Sequence, residues 1–452
     1  MLALLLLLLV VRSSAVPQLG QGTGSSRAAA GVISVKSFGA VGDGIADDGP
    51  AIQRAIDSAK GKARAALYFP SGTYLTNQSI VANGWAVRLV GDGMGLSAVV
   101  AGGATPMVAT LTLPGAQPNN TAPNPHSRTN GFEISDMSFS GSGAANFAVY
   151  APALTRSRFT RVGFHDGRVA GFYLGYGWIN DILQCRFDGR SLVGLYLDLA
   201  VNAINVVDSQ FEANGELGIG VIINGGAMVR LSGNCIEGMA GPGIIANQVD
   251  ALTIQANYFE ANNMLPDNIR FVTNASGTPT RVRVCTDVLI DGDFGYAGSS
   301  SSDNSLSIAQ FAPGAAPMST KPHQAVWDGK PGDIRLNNHA PSRGVVLEAN
   351  FHNPGGDGCP GGTRPYPENA FYGAFAAGAT GLRSESNDCS RCSNRASHTA
   401  GPARVCAAVG TGASGPNSNQ TTLGAFDIKL NTGFFGSGPL ANLEDDASVQ
   451  KR

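Results

Sequence analysis

Residues 159–188 read FTRVGFHDGRVAGFYLGYGWINDILQCRFD, and the spacing of their apolar residues decides the fold. Phe164 follows Phe159 by five residues, and Ile182 and Phe187 then begin the same pattern again. Working outward, Ile134, Phe159, Ile182, Val206, Leu231 and Ile254 each precede a second apolar residue by five: Phe139, Phe164, Phe187, Phe211, Ile236 and Phe259. A third column stands ten residues after the phenylalanines: Val149, Leu174, Leu197, Val221, Ala246 and Ile269. Three short apolar segments per repeat of 23 to 25 residues, in register over six repeats, predict a coil with three strands per turn. Leu289 and Phe294 repeat the five-residue step and predict a seventh rung, with a loop near Asn274.

Strand side chains alternate between faces, so an inward phenylalanine puts its successor outside. That outward column is Ser140, His165, Asp188, Glu212, Glu237 and Glu260. Adjacent rungs lie about 4.8 Å apart. Two carboxylates about 5 Å apart repel by roughly 3 kcal/mol at an effective dielectric of 20, and by under 1 kcal/mol if fully wet. Fanned side chains, a bound cation, nearby arginines or a retained proton would relieve this.

The column supports several chemistries. Carboxylates on adjacent rungs suit a retaining glycosidase, and a carboxylate cluster is a candidate Ca²⁺ site. A lyase would neutralise a uronate carboxylate with such an ion or an arginine while a base removes the C5 proton. Asp188, Glu212, Glu237, Glu260 and His165 are therefore the candidate catalytic residues, and Arg161, Arg186, Arg190 and Trp178 the candidate substrate-binding residues. A structural reading stands beside this one. Phe-Glu-Ala-Asn occurs at both 211–214 and 259–262, as a repeat consensus would. Asn234 and Asn257 suit turns and a stacked amide ladder.

The 452 residues include 43% hydrophobic and 14% charged residues and 60 glycines, which favours a folded, turn-rich β protein over a disordered chain. A formal net charge of -2 offers no electrostatic case for nucleic acid or an anionic membrane. The apolar run Leu2–Val11 followed by Ser13-Ser14-Ala15 reads as a signal peptide over residues 1–15. It predicts a secreted protein with no membrane span after cleavage. Residues 16–31 read as a linker, 32–300 as the coil, 301–325 as a second linker and 326–452 as a small β-rich, cysteine-containing region. Cys359, Cys389, Cys392 and Cys406 favour disulfides over zinc in an oxidising compartment, with three pairings open. Asn77, Asn119, Asn274 and Asn419 are glycosylation triplets. The polar stretch Thr112–Asn130 reads as a functional loop.

Asp47-Asp48-Gly49-Pro50 before Ala51, Ile52, Ala55 and Ile56 predicts an amphipathic helix capping the first rung. Phe38-Gly39-Ala40-Val41-Gly42-Asp43-Gly44, Asp47-Asp48 and Ala51–Asp57 closely resemble the N-terminus of the pectate-lyase-like superfamily, and Tyr68–Leu75 matches its next element. The resemblance implies an all-β, right-handed parallel β-helix. It also implies a polysaccharide substrate, since the family includes lyases, hydrolases and epimerases. The family also holds phage tailspikes, so a non-catalytic wall, coat or carbohydrate-binding rod stands as the alternative. The Asn-Thr-Asp, Gly-His-Gly and Arg-Ile-Lys motifs of polygalacturonases and the Arg-x-Pro-x-x-Arg motif of the main pectate lyases are absent, so no family catalytic residue carries over.

Overall fold

The computed structural model describes residues 32–262 apart from 61, 63–64, 83–86, 104–106, 116–128, 213–217 and 240, and beyond them 269–274, 279–282, 286–290, 294–296, 344–353, 370–374, 383–385, 407–409 and 427–429. The leader, both linkers, the C-terminal cysteines, Asn119 and Asn419 lie outside the described residues. No described helix is long and apolar enough to cross a membrane.

The chain winds into a parallel β-helix with three ladders. In the first ladder Ile33, Leu67, Leu89, Ile134, Phe159, Ile182, Val206, Leu231 and Ile254 pair in order. In the second, Tyr74, Val99, Phe139, Phe164, Phe187, Phe211, Ile236 and Phe259 do the same. Apart from the partly buried Ile33 these side chains are buried, and the phenylalanines stack along the axis: Phe164 on Phe187 at 4.8 Å between ring centroids, Phe187 on Phe211 at 4.4 Å.

The third ladder differs from the expected column. Val149 pairs with Phe172, Phe172 with Leu195, Leu195 with Val221 and Val221 with Ile244, while Leu174 faces Ala151 and Leu197. The turn from second to third ladder is two residues shorter after Phe164 than after Phe139. A slip of two keeps an apolar side chain inward, so the sequence pattern survives the change. Ile269 leaves the coil altogether: its strand Ile269–Asn274 pairs antiparallel with Pro279–Val282 and with Phe294–Tyr296. Phe294 is therefore not a rung residue. The next rung takes Val288 and Ile290 in the third ladder, Leu347 in the first and Phe351–Asn353 in the second. Strands Ala370–Ala374, Arg383–Glu385, Ala407–Val409 and Asp427–Lys429 carry the same ladders onward.

Each turn from first to second ladder passes through one residue of left-handed backbone, among them Arg161 (φ 52), Gln184 (φ 54), Asp208 (φ 52) and Ala256 (φ 53). The strain of such residues, of order 1 kcal/mol each, is offset by the buried residue that follows. Ser209 N donates to Asn234 Oδ1 at 2.9 Å, Asn234 N to Asn257 Oδ1 at 2.9 Å, and Asn257 N to Asn350 Oδ1 at 3.0 Å. The Nδ2 groups of Asn234, Asn257 and Asn350 close the corner on the carbonyls of Val206, Leu231 and Ile254.

The helix Gly49–Ala59 packs Ile52, Ala55 and Ile56 into the same core as Leu67, Phe69 and Ile80. Asp48 precedes it but does not cap it. Its buried carboxylate accepts from Val41 N at 2.6 Å and Gly42 N at 3.0 Å. That tie explains the spacing of Asp48 behind the Val41-Gly42-Asp43-Gly44 turn. Gly42 (φ 73) is needed there, because a Cβ would stand 2.9 Å from the Tyr74 ring.

Candidate functional site

Two outward columns flank the buried phenylalanines of the second ladder. Reading along the axis, the residue before the inward one is Ala98, Ser138, Gly163, Arg186, Gln210, Cys235, Tyr258 and Phe351. The residue after it is Val100, Ser140, His165, Asp188, Glu212, Glu237 and Glu260. The face thus runs from small and hydroxylic residues, through a His-Asp-Arg group, to carboxylates and then a pair of aromatic rings.

The centre of the face is tightly bonded. His165 Nδ1 meets Asp188 Oδ1, and Arg186 Nε reaches Asp188 Oδ2 at 2.7 Å and Nη2 lies 3.9 Å from Glu212. Burial pushes the Asp188 carboxyl up, but the His165 bond and the charge and hydrogen bond of Arg186 outweigh it, leaving Asp188 below the usual carboxylate value. An ionised Asp188 accepts only, so it fixes the proton on Nδ1 and leaves Nε2 as the basic nitrogen. His165 and Asp188 keep about a quarter of their side-chain surface in solvent, with Arg186 more open.

Farther along, Cys235 Sγ donates to Glu237 Oε2 at 3.5 Å and Tyr258 Oη to Glu260 Oε2 at 2.6 Å. Burial, then the charge of Glu237 and its hydrogen bond, then Glu212 and Glu260, push the Cys235 thiol up to about 12. Tyr258 stacks on Phe351 with ring centroids 5.3 Å apart. Among the described residues no three His, Cys, Asp or Glu side chains are grouped so as to hold a metal ion.

The structure brings together His165, Asp188, Arg186, Glu212, Glu237 and Glu260 on one face. It does not bring the other three expected residues there. Arg161 sits in the left-handed turn and grips Asp136 through two bonds, at 2.5 and 2.9 Å. Arg190 lies in the turn after Asp188, where its backbone N–H donates to Asp166. Trp178 is at the corner between third and first ladders, half-exposed and tilted against Tyr176. The stretch Thr112–Asn130 starts beside Tyr150 and returns with Thr129 beside Leu154, so its ends border the third ladder rather than the carboxylates.

A second polar group escaped the sequence reading. On the outer side of the third ladder Tyr150, Tyr173 and Tyr196 pair in register. Tyr173 Oη donates to Asp198 Oδ2 and Asn224 Nδ2 to Oδ1, both at 3.0 Å, with Asp198 only 3% exposed. Burial and the Asp198 charge hold the Tyr173 and Tyr196 phenols protonated. The signal was present: the three tyrosines recur every 23 residues.

Residues 32–160 match the family described as rhamnogalacturonase A/epimerase, pectate lyase-like, and residues 126–259 and 155–304 match the right-handed β-helix region. The coil belongs to the pectate-lyase-like right-handed parallel β-helix proteins. Over 74 residues, 15% of this chain, it is 43% identical to mannuronan C5-epimerase AlgE3 of Azotobacter vinelandii. Over 49 residues, 11% of the chain, it is 55% identical to plasmin and fibronectin-binding protein A of Streptococcus pneumoniae. These matches span 4% and 7% of the two relatives' own lengths. The solved structure of PfbA, a surface adhesin of S. pneumoniae, shares the fold with a TM-score of 0.50 and 15% identity, over 79% of this chain and 78% of that one.

Proposed function

We propose that this protein is a secreted polysaccharide-active enzyme that removes the C5 proton of a uronate unit bound across the outer face of the second ladder. The observation that carries it is the His165–Asp188–Arg186 group, a base, its orienting carboxylate and a cation on adjacent rungs. The epimerase relative supports it, because its name denotes chemistry at C5 of a uronan.

In this reading Asp188 holds the imidazole ring, and His165 Nε2 takes the C5 proton. The remaining N–H groups of Arg186 bind the uronate carboxylate and stabilise the charge that spreads onto it as the C5–H bond breaks. In elimination the freed electron pair forms the C4=C5 double bond as the C4–O bond breaks, and the departing oxygen takes a proton from the imidazolium or from water. Return of a proton to the opposite face of C5 would instead be epimerisation. Glu212, Glu237 and Glu260 accept from sugar hydroxyls beyond the reacting unit, and the Met1–Ala15 leader directs the chain to the secretory route.

The similarity to an adhesin favours one second reading, in which the same face binds glycan without turnover. Incubation with polygalacturonate, alginate and rhamnogalacturonan separates the cases. Ultraviolet absorbance of an unsaturated uronate is expected. New reducing ends without unsaturation would mean hydrolysis, and binding with neither products nor inversion at C5 would assign the adhesive role. Either result overturns C5 elimination.

A further inference from the structure

Gly163 stands on the outer face between Ser138 and Arg186, in the middle of the strand Arg158–His165. Its backbone does not require glycine, since its φ lies outside the left-handed range. Glycine inside a strand is destabilising relative to alanine, and it commonly marks a close approach. The approaching group is the His165 ring. A Cβ at position 163 would lie 2.4 Å from His165 Nε2 and 3.0 Å from Cε1, closer than real atoms pack. The side chain two residues on has therefore folded back over Gly163, with Nδ1 turned to Asp188.

We propose that Gly163 is a positioning residue: it leaves open the space that the His165 ring occupies while facing Asp188. The inference rests on the reading of His165 as the base, but it concerns geometry that exists without substrate. Any side chain at 163 would turn the ring out of that space and break the His165–Asp188 pair. Asp188 would then keep Arg186 but lose the imidazole that helps hold its carboxyl low.

Two measurements test this on the full chain. In the unaltered protein with labelled histidine and glycine, a nuclear Overhauser contact between His165 Hε1 and the Gly163 α protons is expected, and its absence overturns the proposal whether or not any variant folds. In Gly163→Ala, carboxyl titration by NMR should show Asp188 moved upward, in the direction also expected of His165→Ala. An unmoved Asp188 in a folded Gly163→Ala protein overturns the proposal. The alanine Cβ would also stand 2.9 Å from Ser138 Cβ, so Ser138→Gly/Gly163→Ala is the control. It should keep the shifted titration; a return to the original value would assign the effect to Ser138 and overturn the role given to Gly163. Neither measurement uses a polymer. Failure of the polysaccharide assay would sink the proposed activity and leave this result standing, and the reverse holds equally.

Discussion

Cys235 illustrates how one residue reports on its neighbours. Its thiol is half-buried beside Glu237, with Glu212 and Glu260 on the adjoining rungs, and together they push it up to about 12. Alkylation at pH 8 should therefore be slow, because the thiolate is the nucleophile. Glu237→Gln removes the largest charge acting on it and should speed alkylation measurably; an unchanged rate would mean the thiol does not feel the column. Asp188 gives a second check. Its native value lies below the ordinary 3.8, so its contribution to stability is complete above that value and is lost as pH falls through the lowered one. Thermal melts should show an acid-side loss of stability that is smaller in Asp188→Asn. Asp198→Ala would strand the buried Tyr173 hydroxyl and take one partner from the half-buried Asn224 amide, at a cost of about 3 kcal/mol in denaturant unfolding. At this scale the sequence revealed that His165, Asp188 and the glutamates share a face, because strand alternation alone dictates it. It did not reveal that Arg161 is held by Asp136, because the left-handed turn that redirects it follows no residue-type rule.

The ladders set the next scale, and the asparagine stack is their clearest element. Asn257 makes hydrogen bonds through its backbone N–H and side-chain amide to Asn350, and through the same amide to Leu231 O, all of them buried. Its replacement by alanine removes the acceptor for Asn234 N and leaves the Leu231 carbonyl without that donor, which should cost about 2–4 kcal/mol. Asn350 occupies the same column 93 residues later. Asn350→Ala should destabilise by a comparable amount in the same unfolding transition. A separate transition would show that the rung beyond the insertion folds independently. Asn234 and Asn257 were legible as a ladder from their 23-residue spacing. Asn350, Leu347 and Phe351 were not, because the antiparallel excursion at Ile269–Asn274 and the long segment after Ile290 destroy the period while the register continues. The third ladder misled for a related reason: a turn shortened by two residues preserves the apolar alternation on which the reading depended.

Over the whole molecule, the coil turns a one-dimensional repeat into a directional surface. From Ala98 to Phe351 the outer face of the second ladder passes from small residues to the His165–Asp188–Arg186 group, then to carboxylates and rings, so a polymer lying along the axis meets different chemistry at each rung. Asp188, Glu212, Glu237 and Glu260 set four negative charges against the one of Arg186. Raising salt toward physiological strength should therefore strengthen binding of an acidic polymer, as repulsion is screened; weakening would mean that the attraction of Arg186 for the polymer outweighs the repulsion of the carboxylates. The three-strand coil as far as Phe259 was legible from the phenylalanine period and the Gly42–Asp48 signature, whereas its continuation past Ile290 was not, and neither was the reaction, since many glycan chemistries share this architecture. The most direct test of the central claim is deuterium incorporation at C5 of a polyuronate in heavy water, read by NMR for the unaltered protein and for His165→Asn. Exchange or elimination at C5 that vanishes in His165→Asn is the predicted result. C5 chemistry that persists undiminished in the variant, or no C5 chemistry in the unaltered protein, would contradict it.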